Sequence, residues 1–222
     1  MNAGTQRGRR PLAEEEIRAL DAHFAATGAL RDRAWFTVGH LCGFRIRETL
    51  SLRLRDVVDA GRIVEWIHVS RAHMKGRTQG RTMVLHPVGR RVLAAWVEEL
   101  RKMGWVDARA FVFQSTRLAP HPEGHAITSR QALRVLHAAC AACGIPDRLV
   151  GTHSLRKTFA MRLKGVLPSV VDIQGALGHQ SLNTTQRYLS SMPEDVFNAV
   201  RGIEFEIPDE ENNGEDAPVV HI

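Results

Sequence analysis

The sequence predicts a mainly α domain with one small antiparallel β-sheet, an α+β class, and three observations carry that prediction. Apolar residues recur at helical spacing through most of the chain. Only at 62–69 and 81–85 does the period shorten towards two, and a Gly- and Arg-rich stretch lies between those runs, where a hairpin turn belongs. With 222 residues and a 44% hydrophobic fraction, the chain can bury a single large core. The expected organisation is a flexible basic N-terminus at 1–10, one folded domain at 11–203 and an acidic flexible tail at 204–222.

The elements follow in order. Leu12-Ala13-Glu14-Glu15-Glu16-Ile17 opens a helix that runs to about Ala26, its first-turn acids suiting the positive end of the helix dipole. A second helix is expected from about Arg31 to Cys42, stopped by Gly43, and a third from Arg45 to Leu52 or Leu54. Strands at 62–69 and 81–85 form the ribbon. Helices are then expected at about 88–102, 128–143, 153–164, 169–176, 182–190 and 193–201. The stretch Pro208-Asp209-Glu210-Glu211-Asn212-Asn213-Gly214-Glu215-Asp216 has too few apolar groups to offset the entropy of ordering.

Charge is distributed unevenly. Residues 1–201 hold all 30 Lys and Arg but only 17 of the 24 acids, a formal +13 against +6 for the whole chain. A basic body attracts a polyanion, nucleic acid being the commonest. No run approaches the ~18 apolar residues of a membrane span and no signal-peptide core is present, so a cytoplasmic protein is expected. Cys42, Cys140 and Cys143 make an odd set that fits a reducing compartment. His137-x-x-Cys140-x-x-Cys143 has no fourth ligand in view and reads as small residues on a helix, so no metal is expected.

The chemistry concentrates near Tyr188, the single tyrosine, which follows His179 by nine residues; His179 follows Arg156 by 23, and Arg156 follows His153 by three. A phenolic oxygen can attack a phosphodiester and be restored later, so this order suggests covalent chemistry on a nucleic-acid backbone. In Gly151-Thr152-His153-Ser154-Leu155-Arg156, Thr152 is the expected N-cap, and His153 and Arg156 share the first turn, where a helix N-terminus already favours an anion. Gly43-Phe44-Arg45-Ile46-Arg47-Glu48 repeats the arrangement, with Glu48 one turn beyond Arg45 to orient its guanidinium. Lys75, in the turn of the ribbon, could reach a DNA groove or protonate a departing alkoxide. Taken separately, the same residues also read as a capped helix start, one surface arginine among Arg47, Arg53 and Arg55, and a basic hairpin resting on backbone phosphates.

Together these motifs resemble the catalytic domain of the tyrosine recombinase (phage integrase-like) family over roughly residues 10–200. The family's first arginine motif is similar to Gly43-Phe44-Arg45-Ile46-Arg47-Glu48 and its hairpin lysine to Lys75. Its H-x-L-R-[RK]-[TH] box resembles His153-Ser154-Leu155-Arg156-Lys157-Thr158, and its terminal box resembles Leu177-Gly178-His179 through Thr184 to Tyr188. The resemblance implies a site-specific recombinase working through a 3′-phosphotyrosyl link made by Tyr188. Arg45 and Arg156 would clamp the non-bridging oxygens, His153 would be the base, Lys75 the acid and His179 a phosphate donor, with Glu48 behind Arg45. It implies no cofactor, double-stranded DNA as partner, a homo-tetramer on paired sites with possible accessory DNA-bending proteins, and association with a bacterial nucleoid. It also implies a short form lacking the family's usual N-terminal core-binding domain. A recombinase-derived DNA-binding regulator and a topoisomerase-like relaxing enzyme are the rival readings. The helical pattern at 193–200 lies where the family passes a C-terminal segment to a neighbouring subunit, or it packs in cis.

Overall fold

The computed structural model describes residues 9–69, 81–115, 123–167, 170–177, 198 and 200–203. The expected helix at 182–190, most of that at 193–201 and the acidic tail lie outside these residues.

Helix α1 (Glu14–Ala26) starts where Glu16 turns its carboxylate back onto the Ala13 amide at 2.9 Å and is forked by Arg10 at 2.5 and 2.6 Å. It buries Ile17, Leu20 and Phe24. Helix α2 (Leu30–Cys42) is buried at every position from Arg33 to Cys42 and packs on α1, on α5 (Pro87–Lys102) and on α7 (Thr152–Val166). It is the centre of the core, contributing Trp35, Phe36 and Leu41 at 0% exposure. Each such side chain is worth roughly 1.5–3 kcal/mol by transfer from water.

The expected third helix is two short ones. Helix α3 (Ile46–Leu50) ends at Ser51, and α4 (Leu54–Val57) starts after Arg53, whose amide is capped by the Asp56 carboxylate at 2.8 Å. The break lets Leu52 sit in the core, with its carbonyl accepting from the Val112 amide at 2.9 Å.

The ribbon also differs from a single strand over 62–69. Strands β1 (Val58–Asp59) and β2 (Arg62–Ile63) form their own hairpin around Ala60 and Gly61, both at positive φ. Strands β3 (Trp66–Val69) and β4 (Arg81–Val84) make a second antiparallel pair, in the register Trp66↔Val84 through Val69↔Arg81. Val64 still belongs to the first hairpin, its amide going to the Val57 carbonyl at 2.9 Å, and the chain changes partner at Glu65, whose carbonyl accepts the Leu85 amide at 2.7 Å.

Helix α5 is set by Pro87 in its first turn and by His86, whose Nδ1 accepts from the Val88 amide at 3.2 Å. Helix α6 (Ser129–Ala142) has a reciprocal cap between Thr128 and Gln131 at 2.7 and 3.1 Å. For α7 the cap is Gly151, so Thr152 is the first helical residue and not the cap the sequence suggested. Ser154 accepts the Gly151 amide at 3.1 Å. Helix α8 (Val170–Leu177) packs on α7.

Further along, Val200 and Ile203 are buried against this same chain. His86 Nε2 donates to the Ile203 carbonyl at 2.9 Å, and Arg201 pairs with Glu65 at 2.6 Å. Residues 200–203 therefore pack in cis. Among the described residues no helix is long and apolar enough to cross a membrane.

Candidate active site

The site is built around the C-terminal end of α2. Gly43 adopts φ 60°, a left-handed turn that a residue with a Cβ would enter at a cost. Space forbids a side chain as well, because a Cβ there would lie 2.2 Å from Phe159 Cδ1. The reversal delivers Arg45 to the N-terminus of α3. One turn later Glu48 accepts the Arg45 amide on Oε2 at 2.8 Å and Arg45 Nη1 on Oε1 at 2.9 Å. The Glu48 side chain is 2% exposed and that of Arg45 is 41% exposed, so a buried carboxylate holds a guanidinium whose other edge faces solvent.

Arg156, in the second turn of α7, is buried and reaches back to the same loop. Its Nη1 donates to the Gly43 carbonyl at 2.7 Å, and its Nη2 donates to the carbonyl of Leu177, the last residue of α8. One side chain thereby joins the Arg45 loop to the segment that leads, two residues later, to His179. His153 stands exposed one turn before Arg156. Lys75, His179 and Tyr188 lie outside the described residues; Lys75 falls in sequence between β3 and β4.

Arg81, in sequence one more residue of the second strand, is buried in this cluster. It donates to the Cys42 carbonyl at 2.9 Å and to the Gly43 carbonyl at 3.2 Å, faces Glu48 Oε2 at 3.8 Å and lies 4.9 Å from the Phe44 ring centroid. Strand parity carried the signal: Arg81 shares the inward face with Met83, while Thr82 points out. Arg45, Arg81 and Arg156 with Glu48 carry two more positive than negative charges, an arrangement suited to an anion of the charge of a phosphodiester.

Other titratable groups are set away from reaction at neutral pH. Burial pushes the Cys42 thiol up to about 12 and Cys140 up to about 11, so neither supplies a thiolate. Burial also drives His40 well below the usual imidazole range and His86 down to about 4. His137 Nε2 donates to the Val150 carbonyl at 3.1 Å, and Cys143 Sγ contacts the Ala19 carbonyl at 3.5 Å. Among the described residues no group of three or more His, Cys, Asp or Glu could hold a metal ion.

Known proteins similar to this chain identify its family and fold. Tyrosine recombinase XerC of Rhodospirillum centenum is 35% identical over 185 residues, covering 81% of this chain and 49% of the relative. The probable integrase/recombinase YoeC of Bacillus subtilis is 26% identical over 159 residues, covering 72% of this chain and 77% of the relative. Among solved structures, the XerA recombinase superposes with a TM-score of 0.64 at 22% identity over 89% of this chain and 67% of that one. The XerH site-specific recombinase bound to its difH substrate superposes with a TM-score of 0.60 at 22% identity over 82% of this chain and 50% of that one. The chain thus spans about half the length of the XerC relative it matches. Residues 10–194 match the model of the phage integrase family, and the chain, mainly helical with small antiparallel sheets as that family's catalytic domain requires, belongs to it.

Proposed function

We propose that this protein is a tyrosine-type site-specific DNA recombinase, with residues 11–203 as its catalytic domain. The observation that carries the reading is the joining of Arg45 and Arg156 through one loop, with Glu48 buried behind Arg45 and Arg156 tied to the end of α8. In this scheme Tyr188 attacks the scissile phosphorus. The phenol proton passes to His153, the P–O5′ bond breaks, and the 5′ oxygen takes a proton from Lys75. The products are a 3′-phosphotyrosyl link and a free 5′-hydroxyl. Arg45, Arg156 and His179 stabilise charge on the non-bridging oxygens, each fixed donor contributing on the order of 3 kcal/mol to the barrier reduction. One phosphodiester is exchanged for another, so religation needs no external energy source.

DNA is the partner this chemistry requires, and the structurally similar XerH site-specific recombinase was solved bound to its difH substrate. Paired sites call for four copies, with DNA-bending proteins as accessories, in the cytoplasm of a bacterium. The stretches 1–10 and 204–222, basic and acidic in sequence, flank this domain along the chain.

Incubation of the protein and of Tyr188→Phe with nicked DNA carrying a phosphorothiolate at candidate sites tests the scheme. A denaturant-stable protein–DNA adduct is expected from the unaltered chain and none from the variant. Adducts of equal yield from both, or none from either while both shift DNA in a gel, would sink the covalent mechanism.

A further inference from the structure

Resting on the recombinase reading, we propose that Arg81 is a positioning residue of the reaction: it neutralises Glu48 so that Arg45 stays available to the phosphate. Four contacts converge on this one buried side chain. Cys42 and Gly43 present carbonyls at the end of α2, where the helix has no further amides to satisfy them and the dipole is negative. Arg81 takes both, at 2.9 and 3.2 Å. Its plane lies 4.9 Å from the Phe44 ring centroid, and its Nη1 faces Glu48 Oε2 at 3.8 Å.

The logic lies in how Glu48 divides its charge. A carboxylate 2% exposed needs a resident counter-charge, and Arg45, with 41% of its side chain exposed, is the group that must also meet the DNA. A phosphate arriving at Arg45 competes with Glu48 for the same guanidinium. Arg81 never leaves, because its fork is fixed by two backbone carbonyls, so Glu48 keeps a cation while Arg45 turns towards the substrate. Remove Arg81 and Glu48 falls back on Arg45 alone, while the Gly43 carbonyl is oriented by Arg156 alone. Arg81 also begins β4, so the same contacts bind that strand to the loop carrying Arg45.

The test measures single-turnover adduct formation on the nicked phosphorothiolate DNA, DNA affinity by gel shift and urea midpoints for the full chain. The variants are Arg81→Met, Arg81→Lys, Glu48→Gln and the Arg81→Met/Glu48→Gln pair. Arg81→Met is expected to slow adduct formation about 100-fold, the scale of a misplaced reacting group, with DNA affinity within about threefold of the unaltered chain. Arg81→Lys keeps the charge but not the fork, and should recover about tenfold of that loss. The paired variant should cost less than the two single effects combined, in rate and in urea midpoint alike. Adduct formation by Arg81→Met within about threefold of the parent, additive single effects, or a fall in DNA affinity matching the fall in rate would overturn the assignment. If the unaltered chain forms no adduct, the recombinase reading fails by itself, and the urea midpoints alone then decide whether Arg81 serves Glu48: additivity there overturns it.

Discussion

Arg156 and Arg81 donate to one acceptor, the carbonyl oxygen of Gly43, at 2.7 and 3.2 Å. The two side chains come from α7 and from the ribbon, 75 residues apart in sequence, and meet on a backbone atom at the end of α2. The oxygen's two lone pairs are both engaged, so the loop that presents Arg45 is fixed from two sides.

Arg156→Lys tests the α7 side of that arrangement. A lysine cannot fork between the Gly43 and Leu177 carbonyls, so the end of α8 loses its tie to the Arg45 loop. Adduct formation is expected to fall by about 100- to 1,000-fold, the range for losing one preorganised donor. The rate of single-turnover cleavage checks it, with gel-shift affinity as the control that binding survives.

Gly43→Ala is expected to destabilise the fold by about 3 kcal/mol, combining the left-handed φ with overpacking against Phe159. Urea denaturation reads the loss. Phe159→Leu in the same chain should return part of it by vacating the space 2.2 Å from the new methyl group.

Stability should fall as pH drops from about 6.5 towards 4. His86 is held down to about 4 chiefly by burial, so in that window the unfolded chain takes a proton that the native chain refuses. Above the window both states are neutral and the effect is absent. Between pH 7.5 and 5.0 the His86 contribution is about 2 kcal/mol, and His40, also lowered by burial, acts in the same direction. Glu14 and Glu16, held below the usual range by hydrogen bonds from Arg162 and Arg10, add their losses only at lower pH. Urea midpoints at the two pH values should show a smaller difference for His86→Gln than for the unaltered chain.

Arg33→Met should cost about 3–5 kcal/mol, because Asp21, 1% exposed, is forked by Arg33 at 2.9 Å on both oxygens and would be left as a buried charge. The paired change Asp21→Leu with Arg33→Met should recover most of the loss, since neither charge then needs the other. Thermal or urea unfolding of the three variants provides the comparison.

Helices α2 and α5 were legible because their boundaries rest on local chemistry: Gly43 ends one, and Pro87 begins the other within a residue of where periodicity places it. The ribbon was less so. Strand-favouring residues run through 62–69, yet β2 pairs with β1 and β3 pairs with β4, and a local pattern encodes exposure but not the identity of the partner. Arg45 and Glu48 were readable as a pair because they lie one helical turn apart. Their link to Arg156 was not, since it passes through the carbonyls of Gly43 and Leu177, and a backbone oxygen leaves no mark on residue type. Arg81 could have been flagged as a charge at an inward position beside Met83, a pattern that needs the strand register before it means anything.

The burial of α2 from Arg33 to Cys42 also sets a clock on the site. Amide protons exchange through openings whose free energy reflects what must be exposed, and no part of that stretch can open without breaking the core. Its amides should be among the slowest to exchange, while those of the β1–β2 hairpin and of residues 200–203 should go sooner. The loop bearing Arg45 grows directly from this segment, so local breathing elsewhere leaves half of the proposed phosphate clamp standing. That half should melt only when the whole domain does.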